Sequence, residues 1–172
     1  YDAIISTSKS INKDNSLLNC RLAGFNSNKP DLIIIDLMLK IKTNLSLFKN
    51  INKRKILIVT SISDSKKISY LRKKGVKIIL IESLDSKKDF INLFKILRKY
   101  AYNRILVESG LIFLNKLLKE NLIFNLYVFQ KSSKLGRNGR NNTSNKLLKK
   151  LTLKKKVNVN LSGDKLYKIK FK

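Results

Sequence analysis

Short unbroken apolar runs recur along this chain, separated by polar stretches with helical spacing. Residues 3–6 (AIIS), 32–36 (LIIID), 56–60 (ILIVT), 76–81 (VKIILI) and 104–107 (RILV) are dominated by Ile, Leu and Val without polar alternation. Alternation marks a strand wetted on one face; its absence predicts strands covered on both faces, as in a parallel sheet. Between the third and fourth runs, residues 64–74 (DSKKISYLRKK) start at a Ser-Asp-Ser cluster and stop before Gly75, the pattern of a capped helix with glycine past its end. Between the fourth and fifth, residues 86–100 carry Phe90, Leu93, Phe94 and Leu97 on one stripe, and Ser86 with Asp89 resembles a capping box. A tight Glu108-Ser109-Gly110 turn then opens a helix over 111–120.

Past that helix the pattern changes. Residues 122–130 read as a long strand and 143–150 as a short helix. Residues 153–161 and 165–171 read as a hairpin closed by Ser162-Gly163-Asp164. The order βαβαβα predicts parallel strands with right-handed crossovers, followed by an antiparallel end. The fold class is therefore α/β. It has three layers, α/β/α, around a mixed, mostly parallel sheet with an antiparallel C-terminal hairpin. A length of 172 residues suits one such domain, 1–172, and no repeat or linker divides it.

One polar stretch does not look like an ordinary loop. Residues 6–21 (STSKSINKDNSLLNCR) string hydroxyls, Asp14, Leu18 and Arg21 directly behind the first strand. In a parallel sheet ligands gather at the carboxyl ends of the strands, and this stretch lies at one of them. The Glu108-Ser109-Gly110 turn lies at another. Backbone amides at such a helix start suit a phosphate or pyrophosphate, although by itself a glycine there is an ordinary turn residue.

Composition narrows the chemistry. The chain has no histidine, which removes Ser-His-Asp and Cys-His nucleophilic sites and histidine-containing metal sites. A single cysteine, Cys20, makes neither an internal disulfide nor a cysteine-rich zinc site, so no metal is expected. That cysteine usage fits a reducing compartment. No run approaches the ~18 apolar residues of a spanning helix. A cytoplasmic protein without a membrane partner is the expectation.

The formal charge of +27 raises the question of nucleic acid. The lysines are spread over almost every element, arginine is scarce, and aromatic residues do not interleave with the basic ones as a stacking platform needs. Lys, Asn and Ile abound together, the signature of A/T-heavy codons. Only residues 149–156 (KKLTLKKK) form a dense patch. No specific nucleic-acid partner is expected, only weak retention at low salt.

Taken together, the stretches resemble the C-terminal reductase domain of the bifunctional riboflavin-biosynthesis deaminase/reductase family, whose fold is similar to dihydrofolate reductase. The family pattern of a DAI strand, a small-residue turn and Thr-Val-x-x-Asp-[Asp/Asn]-x-x-Leu-Thr-x-Arg stands here as DAIISTSKSINKDNSLLNCRL. PDLIIID, ILIVTS, KKGVKII, VESGLIFLNKLLKENL and KLGRNGR follow in the family's order. The similarity is collinear over residues 2–140 and loosens beyond. It implies NADPH-dependent reduction of the ribosyl side chain of 5-amino-6-(5-phosphoribosylamino)uracil to ribityl. Hydride comes from the cofactor, so no residue of the chain is assigned a catalytic role.

Carried onto these positions, the resemblance implies cofactor contacts from Ser10, Asp14, Gly110, Leu111, Ile112, Phe113 and Leu114. It implies substrate contacts from Leu18, Arg21 and Glu108, with Arg21 on the phosphate of a pyrimidine ribosyl phosphate. It also implies a homodimer and, in relatives, an upstream zinc deaminase domain. Departures from the pattern are Lys9 at a small position, Leu37 at a polar one, and Ser109 beside Gly110. The family's segment before DAI is missing, so an N-terminally incomplete domain is expected. The fully apolar strand at 3–6 would then want a neighbour supplied from upstream. Two other readings stay open: a basic nucleic-acid-binding α/β module, and a relative that has lost catalysis.

Overall fold

The computed structural model describes residues 1–19, 29–133, 151–153, 155–159 and 161–171. The chain divides into two compact units, Tyr1–Leu114 and Asn115–Lys172.

The first unit holds five strands, β1 (Ala3–Thr7), β2 (Asp31–Ile35), β3 (Ile56–Thr60), β4 (Lys77–Leu80) and β5 (Ile105–Val107). They form one parallel sheet in the order β4-β3-β2-β1-β5. All five strands expected from the apolar runs are present. Every residue of β3 is buried, as is nearly all of β1 and β2, which is the covering on both faces that unbroken apolarity implies.

One face packs Ile4, Leu32, Ile34, Ile56 and Ile58 against helix α1 (Ser8–Asp14) through Ile11 and helix α2 (Lys66–Lys73) through Ile68 and Leu71. Leu47 and Phe48 of a 3₁₀ segment, Ser46–Lys53, join the same cluster. The alternate residues Ile5, Ile33, Leu57 and Val59 are equally buried on the other face. Helix α3 (Lys87–Lys99) connects β4 at one edge to β5 at the other, and a right-handed crossover puts it on that second face. Its buried residues are Phe90, Leu93 and Leu97. Each such side chain contributes about 1.5–3 kcal/mol on full burial.

Local signals explain the helix ends. Ser65 caps α2, and Gly75 just past it takes φ 90, the left-handed region that glycine enters without strain. The capping box of Ser86 and Asp89 is formed. Neither α1 nor the 3₁₀ segment is visible as an apolar pattern. α1 contains one buried apolar residue, Ile11, and is held instead by its ends: Thr7 accepts the Ser10 N–H, and Asn15 ends it at φ 46.

One expectation is corrected. The strand at residues 3–6 does not lack a neighbour: β1 pairs with β2 on one side and with β5 on the other. The open edge beyond this group belongs to β5, which pairs only with β1 among the described residues.

In the second unit, β6 (Asn125–Gln130), β7 (Lys155–Val157) and β8 (Lys165–Lys170) form an antiparallel sheet in the order β6-β8-β7. The expected hairpin forms, but its first strand is Lys155–Val157 rather than 153–161, so the connection is longer than the Ser162-Gly163-Asp164 turn, where Ser162 and Gly163 both take positive φ. Asp164 Oδ1 accepts the Ser132 N–H at 3.0 Å and its hydroxyl at 3.2 Å, tying the turn to the end of β6. The antiparallel strands make a sheet of their own. The helix expected at 143–150 lies outside the described residues.

Candidate functional site

The strand order fixes where a crevice opens. From β1 the chain steps toward β2, β3 and β4, then returns to β1's other side as β5. The connections leaving β1 and β5 diverge to opposite faces: α1 joins the first-face core through Ile11. The start of helix α4 (Leu111–Lys119) instead places Phe113 against Phe90 of α3, ring centroids 6.1 Å apart. Such a reversal point, at the carboxyl ends of the strands, is where open α/β sheets bind ligands.

Three hydroxyls and amides interlock there. Thr7 Oγ1 lies 3.1 Å from Ser10 Oγ, and Ser10 Oγ accepts the Gly110 N–H at 3.2 Å. The Glu108 N–H donates to Ile5 O at 2.9 Å, continuing the β1–β5 ladder and leaving its exposed side chain beside the same two strand ends. Ser10, Glu108 and Gly110, singled out from sequence, are thus brought together. Asp14 lies one turn beyond Ser10, so the two share a face of α1.

Gly110 is not required by the protein's own packing. Its φ is not in the left-handed region, and among the described residues an added Cβ would meet only Ser10 Oγ, at an ordinary 3.5 Å. In the first turn of α4 the Phe113 and Leu114 amides already bond Gly110 O, at 3.1 and 3.3 Å. The Leu111 and Ile112 amides are too early in the helix for such a partner and lie at its positive end. The Phe113 side chain is buried in the core and Ile112 is exposed. In the stretch 111–114 the Leu111 and Ile112 amides thus precede the first intrahelical bonds of α4, and the Leu111 and Leu114 side chains are half-buried.

Leu18 takes φ 49 and packs, half-buried, against the first-face core. Its carbonyl accepts from Arg54 Nη1 at 2.7 Å, and that of Leu17 accepts from Arg54 Nη2. Burial pushes the Arg54 guanidinium below its ordinary value, with the Asp31 carboxylate opposing the shift. Arg21 and Cys20, as well as the KLGRNGR stretch at 134–140, lie outside the described residues.

Asp36 organises the neighbouring strand end. Only 4% exposed, its carboxylate accepts the Ser8 hydroxyl at 2.8 Å and the Lys40 and Ile41 N–H groups at 2.8 and 2.7 Å. One buried acid thereby joins the first turn of α1 to the loop after β2. The sequence carried the signal, an acid closing an all-apolar strand, but read only as a strand end. Leu37, the departure noted above, offers its carbonyl to Thr60 Oγ1, Ser61 Oγ and Ser61 N–H, at 3.0, 2.8 and 3.1 Å.

Comparison with known proteins identifies the family and the fold. The family model described as the RibD C-terminal domain matches residues 1–166. Over 141 residues the chain is 31% identical to the riboflavin biosynthesis protein RibD of Buchnera aphidicola subsp. Baizongia pistaciae, covering 74% of this chain and 36% of that protein. Among solved structures it is similar to Acinetobacter baumannii RibD, with TM-score 0.74, 19% identity, and coverage of 98% of this chain and 46% of that one. It is also similar to the Saccharomyces cerevisiae riboflavin biosynthesis reductase Rib7, with TM-score 0.72, 23% identity, and coverage of 98% and 75%. The chain thus spans about a third of the length of the curated relative and under half of the bacterial RibD structure.

Proposed function

The chain belongs to the RibD C-terminal domain family, a family of riboflavin-biosynthesis reductases with a dihydrofolate-reductase-like fold. On that premise we propose that it reduces 5-amino-6-(5-phosphoribosylamino)uracil, converting the ribosyl side chain to ribityl at the expense of NADPH. The observation that carries this reading is the Ser10–Gly110 hydrogen bond at the strand-order reversal, with the exposed Glu108 between them in the chain.

The residues suit a dinucleotide. Among the described residues, the position a Cβ would take at Gly110 lies at ordinary contact distance, 3.5 Å, from Ser10 Oγ. The Leu111 and Ile112 amides offer the positive end of α4 to a phosphate, and Ser10 and Asp14 present a hydroxyl and a carboxylate from one face of α1. When bound, the dihydronicotinamide supplies a hydride for C1′ of the opened, imine-like ribose, and the imine nitrogen takes up a proton. The protein's part is to hold both molecules in line, so a chain without histidine is adequate. Glu108 holds the substrate and Arg21 its phosphate. On the same reading the protein acts as a homodimer; in relatives an upstream zinc deaminase domain supplies the deaminated substrate.

Arg21→Ala tests the division of labour. Losing a charge-assisted phosphate contact costs ~1.5–3 kcal/mol, so the substrate KM rises roughly 10- to 150-fold while NADPH affinity holds. Equal weakening of both ligands would refute the assignment.

A further inference from the structure

Helix α1 has seven residues and one buried apolar side chain, so packing alone holds it weakly. Its seat is built of hydrogen bonds to the segment that follows β2. In the first turn the Ser8 hydroxyl donates to Asp36, whose carboxylate also takes the Lys40 and Ile41 amides. One turn on, Asn12 Nδ2 donates to Lys40 O at 2.9 Å and its Oδ1 accepts the Lys42 N–H at 2.9 Å. Past the helix end Asn15 grips Ser46 in the same two-sided way, its Nδ2 donating to Oγ at 3.0 Å and its Oδ1 accepting the N–H at 2.9 Å.

The Asn12 pair has the form of a strand contact, with a side-chain amide in place of a peptide. It bonds the carbonyl before the buried Ile41 and the amide after it. That requires one donor and one acceptor on a single planar group; an aspartate offers acceptors alone. The gripped loop is anchored independently of α1. Leu37 O takes donors from Thr60 and Ser61, Leu39 O accepts from Lys67 Nζ at 2.7 Å, and Leu39, Ile41 and Leu45 are buried in the first-face core.

Ser8 and Asn12, four residues apart, share one face of α1. Ser10 and Asp14, also four apart, share the opposite face. The gripped face therefore sets where the other one points, and from that other face Ser10 reaches Gly110.

We propose that Asn12 is a positioning residue of the cofactor site: by clamping the backbone at 40–42 it holds α1 in the seat from which Ser10 and Asp14 face the cofactor. This rests on the reading that those two residues contact NADPH. Asn12 lies on the far face and acts only through the helix.

The test uses Asn12→Ala and Asn12→Asp in the complete protein, each alone and combined with Ser10→Ala. Ser86→Ala serves as a variant that loses a helix cap elsewhere. Hydrogen exchange of the Lys42 amide is read together with the NADPH Kd, kcat at saturating NADPH and the substrate KM. Asn12→Ala is expected to speed that exchange and to raise the NADPH Kd about three- to tenfold, the worth of one or two ordinary hydrogen bonds, because the competent seat is less populated. Its kcat and substrate KM stay within about twofold of wild type. Asn12→Asp keeps the acceptor for Lys42 but sets a carboxylate oxygen against Lys40 O. It preserves the Lys42 protection, still weakens NADPH, and carries the test if the alanine variant does not fold. In the Ser10→Ala background either change weakens NADPH by less than it does alone, since part of what it positions is gone. Ser86→Ala lowers the melting temperature and leaves the NADPH Kd unchanged.

An unchanged NADPH Kd in the Asn12 variants would overturn the proposal, however fast Lys42 exchanges. So would an equal loss with and without Ser10, or a parallel loss in Kd, kcat and substrate KM. A wild-type protein that binds no NADPH would sink the reductase reading and this proposal with it. A wild type that binds NADPH, with Asn12→Ala indistinguishable from it, would sink this proposal alone.

Discussion

Gly110 and Ser10 lie 100 positions apart in the chain and are joined by a hydrogen bond of 3.2 Å from the glycine amide to the serine hydroxyl. That bond ties together the segments that leave the carboxyl ends of β1 and β5. Any non-proline residue could supply its amide, so the glycine's own part lies in the side chain it lacks.

The first prediction follows from that role. Because a Cβ at Gly110 would sit at ordinary contact distance, Gly110→Ala is expected to fold with a stability change within about 1 kcal/mol. The methyl group would instead stand where the cofactor is to approach the backbone. NADPH affinity, read by fluorescence titration, should drop about tenfold or more, which is roughly 1.4 kcal/mol. A variant that melts normally and binds NADPH as tightly as wild type would remove Gly110 from the cofactor site.

Asp36 carries a second prediction. Asn in its place keeps the size but turns one acceptor oxygen into a donor, facing either the Ser8 hydroxyl and the Lys40 amide or the Ile41 amide. A buried, mismatched polar group costs ~1–3 kcal/mol, so urea unfolding of Asp36→Asn should shift to lower midpoint with an unchanged slope. Since Asp36 also seats the first turn of α1, cofactor affinity should fall with it. An unshifted midpoint would show that the three bonds are dispensable.

How much of this was legible beforehand depends on the range of the signal. The five parallel strands announced themselves as unbroken Ile, Leu and Val runs; burial on both faces accounts for the runs of β1, β2 and β3, whereas β4 is exposed at Lys77 and Leu80 and β5 is half-buried, and α3 showed through its stripe and the Ser86–Asp89 box. α1 did not, because a helix with one buried apolar residue has no periodicity to read. Ser10, Glu108 and Gly110 were expected at the site from the resemblance, but the bond between Ser10 and Gly110 is a tertiary fact. Arg54 was invisible for a different reason. In Lys53-Arg54-Lys55 it looks like one more solvated charge, and only the folded chain brings the Leu17 and Leu18 carbonyls to it from 36 and 37 positions away.

A third prediction concerns acid. Asp89 Oδ2 accepts the Ser83 hydroxyl at 2.6 Å and the Ser86 and Asp85 N–H groups, and these bonds lower its pKa from 3.8 to about 2. A carboxylate depressed on folding adds stability that is fully present above its unfolded value and is lost as pH falls through its folded value. Melting temperatures should therefore decline between about pH 4 and pH 2, and Asp89→Asn should start lower and decline less across that window. Parallel curves for wild type and variant would show that the α3 cap does not control this limb.

The central claim is that this chain forms a site delivering hydride to the ribosyl carbon of a pyrimidine ribosyl phosphate. The most direct measurement supplies NADPH deuterated at the transferable position of its dihydronicotinamide to the complete protein with 5-amino-6-(5-phosphoribosylamino)uracil, and weighs the product by mass spectrometry. The account predicts a ribityl product carrying one deuterium, at C1′, formed in step with cofactor oxidation. Cofactor oxidation without substrate dependence, or a reduced product free of deuterium, would contradict it.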